Sequence, residues 1–329
     1  MKVYFNPRTS LQTKKNASAS QEISPGLKSN ILLTFSGRSA IALYLERQRA
    51  KKILENKTAQ FLVPEWLCTS MVVTMHQYCF PTTHLNEKVR GILLYHQWGF
   101  PQKIDEILSA LKEMNVVVIE DCAHSFMSFY KGKRVGTFSD SIWSFPKFFP
   151  SVAGGALYTT DSELMREAKR SRFDLALEKK VFANLVQTEK KPTKNNLREQ
   201  TRNSALYHEL RKAPPVALKK VAADLQSGAI EKRKANFDIL RKRFWGTRED
   251  QLVKECEVLP WVVPLFFDSK NGTVAAALRR LGVECGVYHF DVNRNMLEPD
   301  FKECVPIPCH QGISQKQMES IIDAIVSVV

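Results

Sequence analysis

Residues 116–160 decide the fold of this chain, and they read VVVIEDCAHSFMSFYKGKRVGTFSDSIWSFPKFFPSVAGGALYTT. The stretch opens with a short apolar run, residues 116–119, whose β-branched side chains are typical of a strand buried in a parallel sheet. The run ends in Glu120 and Asp121. A carboxylate is therefore expected at the carboxyl end of the strand, which is the edge where open α/β sheets bind their ligands.

One lysine of the same stretch, Lys147, is surrounded by phenylalanines and prolines. Apolar surroundings help a lysine to lose its proton and to act as a nucleophile. An acid at a strand end followed by such a lysine indicates a pyridoxal 5'-phosphate (PLP) enzyme. That cofactor needs a lysine for its Schiff base and a carboxylate to keep its pyridine nitrogen protonated. The alternatives are a solvated surface lysine and, for Asp121, a helix cap.

Several short motifs follow one another in a fixed order along this stretch: Glu120-Asp121-Cys122-Ala123-His124, Lys131-Gly132-Lys133, Gly136-Thr137-Phe138-Ser139-Asp140, Ser144-Phe145, Lys147 and Gly154-Gly155. In their order and composition they resemble the DegT/DnrJ/StrS family of PLP-dependent sugar aminotransferases. The resemblance covers residues 31–170 well and residues 230–329 moderately. It implies that Lys147 holds the cofactor and that Asp121 keeps the pyridine ring charged.

The resemblance implies the type I PLP-transferase fold, an α/β architecture with a mostly parallel central sheet, flanking helices and a small C-terminal α/β domain. Apolar strands alternating with helical stretches agree with this, because such βαβ units form parallel sheets. The sequence predicts four parts in chain order: a loose N-terminal arm (1–30), a large PLP-binding domain (31–177), a basic helical connecting segment (178–248) and a small C-terminal α/β domain (249–329).

A Ser/Gly turn at residues 36–39 follows the first apolar run, and a helical pattern begins there. The free N–H groups and the positive dipole end of such a helix form a ready phosphate site. The resemblance places the cofactor phosphate at Gly37, Arg38 and Ser39, with Ser144 as a further contact. An ordinary N-cap at Ser39 is the alternative interpretation.

Two further residues are candidate cofactor contacts. Trp66 follows a short strand, and an aromatic ring at that position can stack on the pyridine ring. A core tryptophan is the alternative, and the stacking position of the family can instead be aligned with Cys68. His124 stands where the family has Gln or His near the ring hydroxyl of the cofactor, and the alternative is a polar residue on the following turn.

Candidate substrate contacts come from two regions of the chain. The element after the strand at residues 91–95 resembles the His-x-Tyr/Trp-Gly element of the family, although a histidine that caps a strand end is an equal interpretation. The second region lies where the C-terminal domain of the family approaches its substrate. Together the regions supply four candidates: His96, Trp98, Tyr288 and His289.

Composition limits the class of protein. A chain of 329 residues with 44% hydrophobic content can bury a large core. No apolar run is long enough to span a bilayer, and no secretion signal is recognisable, so a cytoplasmic protein is expected. The seven cysteines are scattered without metal-ligand spacing, which predicts reduced thiols and no metal site.

The net charge of +14 is concentrated in one region, since residues 169–248 carry 21 Lys/Arg and 8 Asp/Glu. These clusters alternate with apolar residues at helical spacing, which favours solvated helical faces. A nucleic acid or an anionic membrane surface is the alternative partner.

The function implied by the resemblance is transfer of an amino group from an amino acid, with glutamate as the expected donor, to a nucleotide-linked keto sugar. The resemblance further implies a homodimer, and it is compatible with a role in cell-envelope polysaccharide biosynthesis or in antibiotic sugar biosynthesis. The chain departs from the family in two places: Ser144 lies three residues before Lys147 rather than five, and a loop that reaches the partner subunit is not recognisable. Two alternatives therefore remain, a relative with dehydratase or no turnover activity and a polyanion-binding protein acting through residues 178–248.

Overall fold

The computed structural model of the protein describes residues 1–8, 30–170 and 175–329. Its centre is a seven-stranded sheet made from seven segments of the first half of the chain. In chain order these strands are β1 (Ile31–Thr34), β2 (Gln60–Leu62), β3 (Phe80–Thr82), β4 (Val89–Tyr95), β5 (Val117–Asp121), β8 (Asp140–Ser144) and β9 (Gly155–Tyr158). Two short strands, β6 (Phe129–Tyr130) and β7 (Lys133–Arg134), lie between β5 and β8 and form a separate hairpin.

The strand order in the large sheet is β1-β9-β8-β5-β4-β2-β3. Neighbouring strands from β8 to β3 are parallel, whereas β9 runs antiparallel to both β8 and β1. The predicted strand at residues 116–119 is observed one residue later and extends through Asp121, because Asp121 is still in register with Ile142 of β8. The prediction of an α/β fold with a mostly parallel central sheet is confirmed.

Helices cover both faces of this sheet. The four helices of the large domain are α1 (Gly37–Ala50), α2 (Thr69–Met75), α3 (Ile104–Ala110) and α4 (Ser162–Arg170). Apolar side chains of α1, such as Ile41 and Leu45, are fully buried against β8 and β9. Helix α1 therefore lies against β8, which ends beside the N-terminus of the helix, and against β9, which begins there.

The connecting segment is helical, as its alternation of apolar and basic residues predicts. It contains α5 (Leu175–Lys190), α6 (Lys194–Ser204), α7 (Pro215–Gln226), α8 (Ala229–Phe244) and the short α9 (Thr247–Asp250). Helix α8 packs on the C-terminal sheet, since Phe237 and Leu240 belong to the main core. A continuous helix at residues 162–177 is also predicted, and its residues 171–174 lie outside the described part of the chain.

The C-terminal region is a small α/β unit. Its elements are β10 (Cys256–Glu257, paired with β6), β11 (Val262–Leu265), α10 (Asn271–Leu281), β12 (Tyr288–Asp291), β13 (Phe301–Pro308) and α11 (Gln315–Val326). The antiparallel sheet has the order β11-β13-β12, and helices α10 and α11 pack beside it. One buried apolar cluster joins this unit to the large domain, because Trp98, Phe148 and Val263 belong to the same core.

The N-terminus differs from the loose arm that the sequence predicts. Val3 is buried and pairs with Val283, with hydrogen bonds from its N–H to the carbonyl of Gly282 and from the N–H of Glu284 to its own carbonyl. The apolar side chain of Val3 therefore packs in the core beside the C-terminal unit, although most of the residues that follow it are polar. Residues 9–29 of the predicted arm lie outside the described part of the chain. Within the described ranges, no helix has the length and apolarity needed to cross a membrane.

Candidate active site

The carboxyl ends of the parallel strands bring the predicted site residues to one edge of the sheet. In the register of β4 and β5, Tyr95 lies opposite Asp121. On the other side of β8, Gly155 lies opposite both Ser144 and Thr34, so the turn after β1 and the end of β8 flank the same glycine. The loop with Lys147, the acid at 121 and the start of α1 therefore share this edge.

Lys147 ends a short 3₁₀ turn, Phe145–Lys147, that follows β8 directly. Its side chain is half-buried, and its Nζ atom lies 4.5 Å from the centre of the Trp261 ring. Burial lowers the pKa of the Lys147 ammonium from its usual value, an effect that Cys68, Glu284 and Asp121 oppose. A lysine with a lowered pKa holds a larger neutral fraction, which is the form that attacks a carbonyl group.

Asp121 is 2% exposed at the end of β5. Its Oδ1 atom accepts a hydrogen bond of 2.9 Å from the N–H of Ala123. Burial raises the pKa of the carboxyl group to about 6, although Ala123, His96 and Lys147 act in the opposite direction. A buried acid with a raised pKa lacks a close cationic partner, and a protonated ring nitrogen can supply one.

His124 lies between two aromatic residues. Its Nδ1 atom is 2.7 Å from the hydroxyl of Tyr95, and its ring stacks on Trp261 at a centroid distance of 4.1 Å. Burial lowers the pKa of His124 well below its usual range, and Lys147 adds to the shift, so the imidazole is neutral. Burial raises the pKa of the Tyr95 phenol well above its usual value, so Tyr95 keeps its proton. The hydroxyl and Nδ1 share one hydrogen bond, and the tautomer of His124 decides which of them is the donor.

The proposed phosphate site lies at the N-terminus of α1, where Ser36 is the N-cap. Its hydroxyl accepts a hydrogen bond from the N–H of Ser39, while the Ser39 hydroxyl donates to the carbonyl of Tyr207 at 2.7 Å. The Ser39 side chain is fully buried, and its hydroxyl proton is used in this hydrogen bond to the connecting segment. The N–H groups of Gly37 and Arg38 have no acceptor within the helix, and they are the donors left for an anion.

Arg38 extends from the same turn toward the connecting segment. One guanidinium nitrogen donates to the carbonyl of Ser204 at 3.0 Å, and the group lies 4.0 Å from the centre of the Tyr207 ring. A cation is thus held beside the helix start, where it adds to the positive end of the helix dipole.

The turn after β1 and the end of β8 approach one another closely. A Cβ atom at Gly37 would lie 3.4 Å from Cβ of Ser144, and a Cβ atom at Gly155 would lie 2.6 Å from the backbone nitrogen of Gly37. Ser144 is therefore beside the start of α1 even though it precedes Lys147 by only three residues. Gly155 is required because any larger side chain would separate these two elements.

His96 is fully buried, and both of its ring nitrogens have partners. Nδ1 accepts from the N–H of Gln102 at 3.1 Å, and Nε2 lies 3.2 Å from Oε2 of Glu120. This arrangement favours the structural interpretation of His96 over a substrate contact. Cys122 lies within 4.8 Å of the ligand atoms of His96 and Glu120. The acceptor role of Nδ1 puts the ring proton on Nε2, which leaves that nitrogen no lone pair for a metal.

Glu120 connects this buried histidine to the loop before β8. Its two carboxylate oxygens accept hydrogen bonds of 2.8–2.9 Å from the N–H groups of Gly136, Phe138 and Ser139. The Gly-Thr-Phe motif therefore holds its loop against the strand that ends in Asp121.

Trp66 and His289 stack on one another with centroids 4.9 Å apart and an angle of 7° between their planes. Trp66 is 54% exposed, so it is not a core tryptophan. Tyr288 is also exposed and contacts Phe5 and Trp98, while Trp98 itself is buried against Phe290. Of the four candidate substrate contacts, only Tyr288 and His289 lie near the surface.

A cavity of about 320 Å³ lies between the edge of the large sheet and the loop before β13. Its wall includes the exposed Trp66 and the half-buried Tyr95. Since Tyr95 also contacts His124, the cavity and the candidate site share this residue. The remaining polar lining includes Gln97, Gln102 and Asp291.

Two residues of the site, Tyr95 and Trp261, are absent from the sequence-based candidates. Tyr95 ends a strand immediately before a recognised motif. Because ligands bind at the carboxyl ends of parallel strands, this position could have identified Tyr95 as a site residue. Trp261 belongs to the C-terminal unit, more than a hundred residues from Lys147 in sequence. Only the packing of that unit on the large domain brings its ring to the lysine.

The mostly parallel seven-stranded sheet, its flanking helices and the small C-terminal α/β unit give the protein the type I PLP-transferase fold. Residues 82–199 match the model of the DegT/DnrJ/EryC1/StrS aminotransferase family. The resemblance predicted from the motifs is thereby confirmed, and the chain is related to this family of aminotransferases through that segment.

Individual relatives agree with this assignment. GDP-perosamine synthase of Escherichia coli O157:H7 is 41% identical over 83 residues, which is 24% of this chain and 23% of that protein. The UDP-4-amino-4,6-dideoxy-N-acetyl-beta-L-altrosamine transaminase of Helicobacter pylori (strain ATCC 700392 / 26695) is 23% identical over 259 residues, which is 74% of this chain and 66% of that protein. Each match thus spans less than two thirds of its relative.

Among solved structures, Helicobacter pylori PseC, an aminotransferase involved in the biosynthesis of pseudoaminic acid, superimposes with a TM-score of 0.65. The alignment covers 97% of this chain and 93% of that chain at 14% identity. At this level of identity the similarity establishes the fold, and the fold extends over nearly all of the chain.

Proposed function

We propose that the protein is a PLP-dependent aminotransferase that moves an amino group from an amino acid, with glutamate as the expected donor, to a nucleotide-linked keto sugar. The observation that carries the proposal is that Lys147 and Asp121 lie at the same sheet edge, each with its pKa shifted by burial. When bound, PLP supplies an electron sink for the carbanion that forms on the donor carbon.

The residues of the site fit this cofactor on chemical grounds. Asp121 is a buried carboxyl group without a salt bridge among the described residues, and a ring N–H⁺ would pair with it. His124 has its Nδ1 occupied by Tyr95, so its Nε2–H can donate to a ring oxygen. The N–H groups of Gly37 and Arg38, with the guanidinium of Arg38 and the hydroxyl of Ser144, suit a phosphate dianion.

Lys147 would hold the cofactor covalently in the resting protein and exchange places with the incoming amine. Once released, its Nζ would accept and return a proton as general base and acid, a role for which a lowered pKa is suited. The ring of Trp261 excludes water from one side of this nitrogen. The acceptor would enter through the cavity that ends at Tyr95.

A homodimer in the cytoplasm completes the proposal. Exposed apolar side chains on neighbouring elements of the large domain, among them Trp66, Val73, Phe80 and Leu85, would be covered by a second subunit. All seven cysteines are free, which agrees with a reducing compartment.

The absorption spectrum of the purified protein tests the central claim. We expect added PLP to give a visible band that borohydride fixes to the peptide containing Lys147. The band should be absent from Lys147→Ala and unchanged in Lys112→Ala, where an exposed lysine is removed. The proposal would be contradicted if the protein bound no PLP, or if borohydride fixed PLP equally to Lys147→Ala and to Lys112→Ala.

The reaction itself is tested by mixing the loaded protein with single amino acids in the absence of an acceptor. We expect the visible band to disappear with the true donor and to return when a nucleotide-linked keto sugar is added. Loss of the band without return under any keto sugar would favour the alternative with dehydratase or no turnover activity.

A second candidate function is supported by the connecting segment. Helices α5 and α6 form a hairpin that is tied together by Asn184 and Asn203. Its exposed cations form no salt bridge with any described residue: Lys179, Lys180, Lys190, Lys191, Lys194, Arg198 and Arg202. Salt-dependent binding to nucleic acid or to anionic vesicles by a protein that takes up no PLP would favour this polyanion-binding role.

A further inference from the structure

Arg233 is a buried arginine in helix α8, and it is only 1% exposed. Burying a guanidinium is costly unless its donors are satisfied. No carboxylate of a described residue forms a salt bridge with it. Its charge is therefore accommodated by other acceptors.

Four oxygen atoms accept hydrogen bonds from Arg233. One terminal nitrogen donates to the carbonyls of Pro260 and Trp261 at 3.1 and 3.2 Å. The other donates to the carbonyl of Phe148 at 3.2 Å and to Oε1 of Gln311 at 3.1 Å. Phe148 directly follows Lys147 in the chain, so the same planar group holds the backbones beside Lys147 and at Trp261.

Gln311 reinforces this attachment from the other side of the loop. Its Nε2 atom donates to the carbonyl of Phe148 at 2.7 Å and to Oδ2 of Asp224 at 2.5 Å. The carbonyl after the lysine is thus held by two side chains from different elements. Helix α7, which contains Asp224, is joined to the same network.

Arg233 thus holds the backbone at Trp261 and the backbone next to Lys147, and the side chains of these two residues are in contact at the candidate site. The Nζ atom of Lys147 lies 4.5 Å from the Trp261 ring. The indole N–H of Trp261 donates to Oδ1 of Asn6 at 2.8 Å, which fixes the far edge of the ring. The planar fork of an arginine can satisfy four acceptors at once, whereas the ammonium of a lysine has three donors on a flexible stem.

We propose that Arg233 is a positioning residue that fixes Lys147 and Trp261 relative to one another, and thereby sets the environment of the lysine amine. The importance of this environment rests on the proposed function, but the placement of the amine can be measured without cofactor. The charged and titratable groups around Lys147 come from five other places in the chain: Arg38, Cys68, Asp121, His124 and Glu284. Those around Arg233 are Asp224, Cys309 and His310.

The experiment compares the pH at which Lys147 becomes reactive in the full-length protein and its variants. Competitive acetylation with acetic anhydride, read by peptide mass spectrometry, gives the titration midpoint of this one lysine without PLP. PLP affinity is measured separately from the visible band. The variants are Arg233→Met, Arg233→Lys and, as matched control, Lys234→Met, which removes an exposed charge from the same helix.

We expect the wild-type midpoint to lie below that of the surface lysines and to move toward theirs in Arg233→Met. PLP affinity should fall by about tenfold or more, as expected for the loss of hydrogen bonds from a charged donor. Arg233→Lys should give an intermediate midpoint, because it keeps the charge but cannot reach all four acceptors. Lys234→Met should match the wild type.

Two results would overturn the proposal. One is a folded Arg233→Met protein whose midpoint and PLP affinity equal those of Lys234→Met. The other is a wild-type midpoint in Arg233→Lys together with a shift in Arg233→Met, which would mean that charge alone acts. If Arg233→Met does not fold, Gln311→Leu should move the midpoint in the same direction by a smaller amount, and an unchanged midpoint there overturns the proposal.

The outcome for the proposed function is separate. A wild-type protein that binds no PLP, but whose Lys147 midpoint is low and rises in Arg233→Met, supports the positioning role and contradicts the aminotransferase. A protein that binds PLP, but whose PLP affinity and Lys147 midpoint are the same in all variants, supports the aminotransferase and contradicts the positioning role.

Discussion

The phenol of Tyr95 lies 2.7 Å from Nδ1 of His124, so the two side chains share one hydrogen bond. Burial keeps the phenol protonated, and we infer that it is the donor, so that His124 accepts at Nδ1 and presents Nε2–H. The strand register that puts Tyr95 opposite Asp121 thus also places the phenol beside the histidine that follows Asp121 by three residues.

Tyr95→Phe should release this constraint. We expect the histidine-ring ¹⁵N spectrum to show exchange between tautomers at His124, and the free energy of unfolding to fall by about 1 kcal/mol for the lost hydrogen bond. NMR of ring-labelled protein and urea unfolding provide the two measurements. An unchanged His124 signal would mean that another group sets the tautomer.

Asp121→Asn should change how stability depends on pH. Burial raises the pKa of Asp121 to about 6, above its value in the unfolded chain. The folded protein therefore binds the proton more tightly, so this residue contributes stability that is present below about pH 4 and is lost as the pH rises to about 6. The loss amounts to at most about 3 kcal/mol in the protein without PLP.

Urea unfolding of the wild type and Asp121→Asn across this pH range checks the prediction. The stability of the wild type relative to the variant should fall between about pH 4 and pH 6 and stay constant above it. A relative stability that rises with pH would show that the carboxylate is paired with a cation in the folded protein. With PLP present, the dependence should weaken, because a ring N–H⁺ would favour the ionised form.

Glu120→Gln should destabilise the fold strongly. The carboxylate accepts from three backbone N–H groups and contacts His96, whereas the amide of Gln would turn an N–H₂ group toward some of these donors. We expect the free energy of unfolding to fall by roughly 2–5 kcal/mol, as for other broken buried networks. Glu113→Gln, at an exposed position before the same strand, should change it little. Equal stabilities of the two variants would contradict the role assigned to Glu120.

Gly155→Ala should separate β1 from β9 at the proposed phosphate site. The added Cβ would lie 2.5 Å from the carbonyl carbon of Ser36 and 2.7 Å from the carbonyl oxygen of Trp143, and backbone atoms cannot move aside as a side chain can. We expect a loss of about 1–3 kcal/mol in the free energy of unfolding and weaker binding of PLP.

Gly272→Ala is the matched control for this substitution. Gly272 lies in α10, and a Cβ atom there has no neighbour within 4 Å. Because alanine favours helices over glycine, the control should be neutral or stabilising by up to about 1 kcal/mol. If Gly155→Ala were as stable as Gly272→Ala, the close approach of the two turns would not exist in solution.

The sequence by itself determined the architecture of the large domain. Short β-branched runs that alternate with amphipathic helices leave few arrangements other than a parallel sheet, and the strand-end acid then lies at the ligand edge. The motifs around Asp121 and Lys147 predicted the family because their order along the chain is a local property. In the connecting segment, apolar and basic residues alternate at helical spacing, and this local pattern likewise predicts helices.

Only the tertiary structure decided which side chains surround the lysine. Trp261 reaches Lys147, and Arg233 reaches the carbonyl of the next residue, Phe148, because the C-terminal unit and helix α8 pack on the large domain. No local pattern encodes such long-range contacts. His96 and Trp66 show the same limit: a strand end can place a side chain in the core or in solvent, and the register with neighbouring strands and loops selects between them. Burial then sets the pKa values, since desolvation depends on every element that covers a group rather than on its neighbours in sequence.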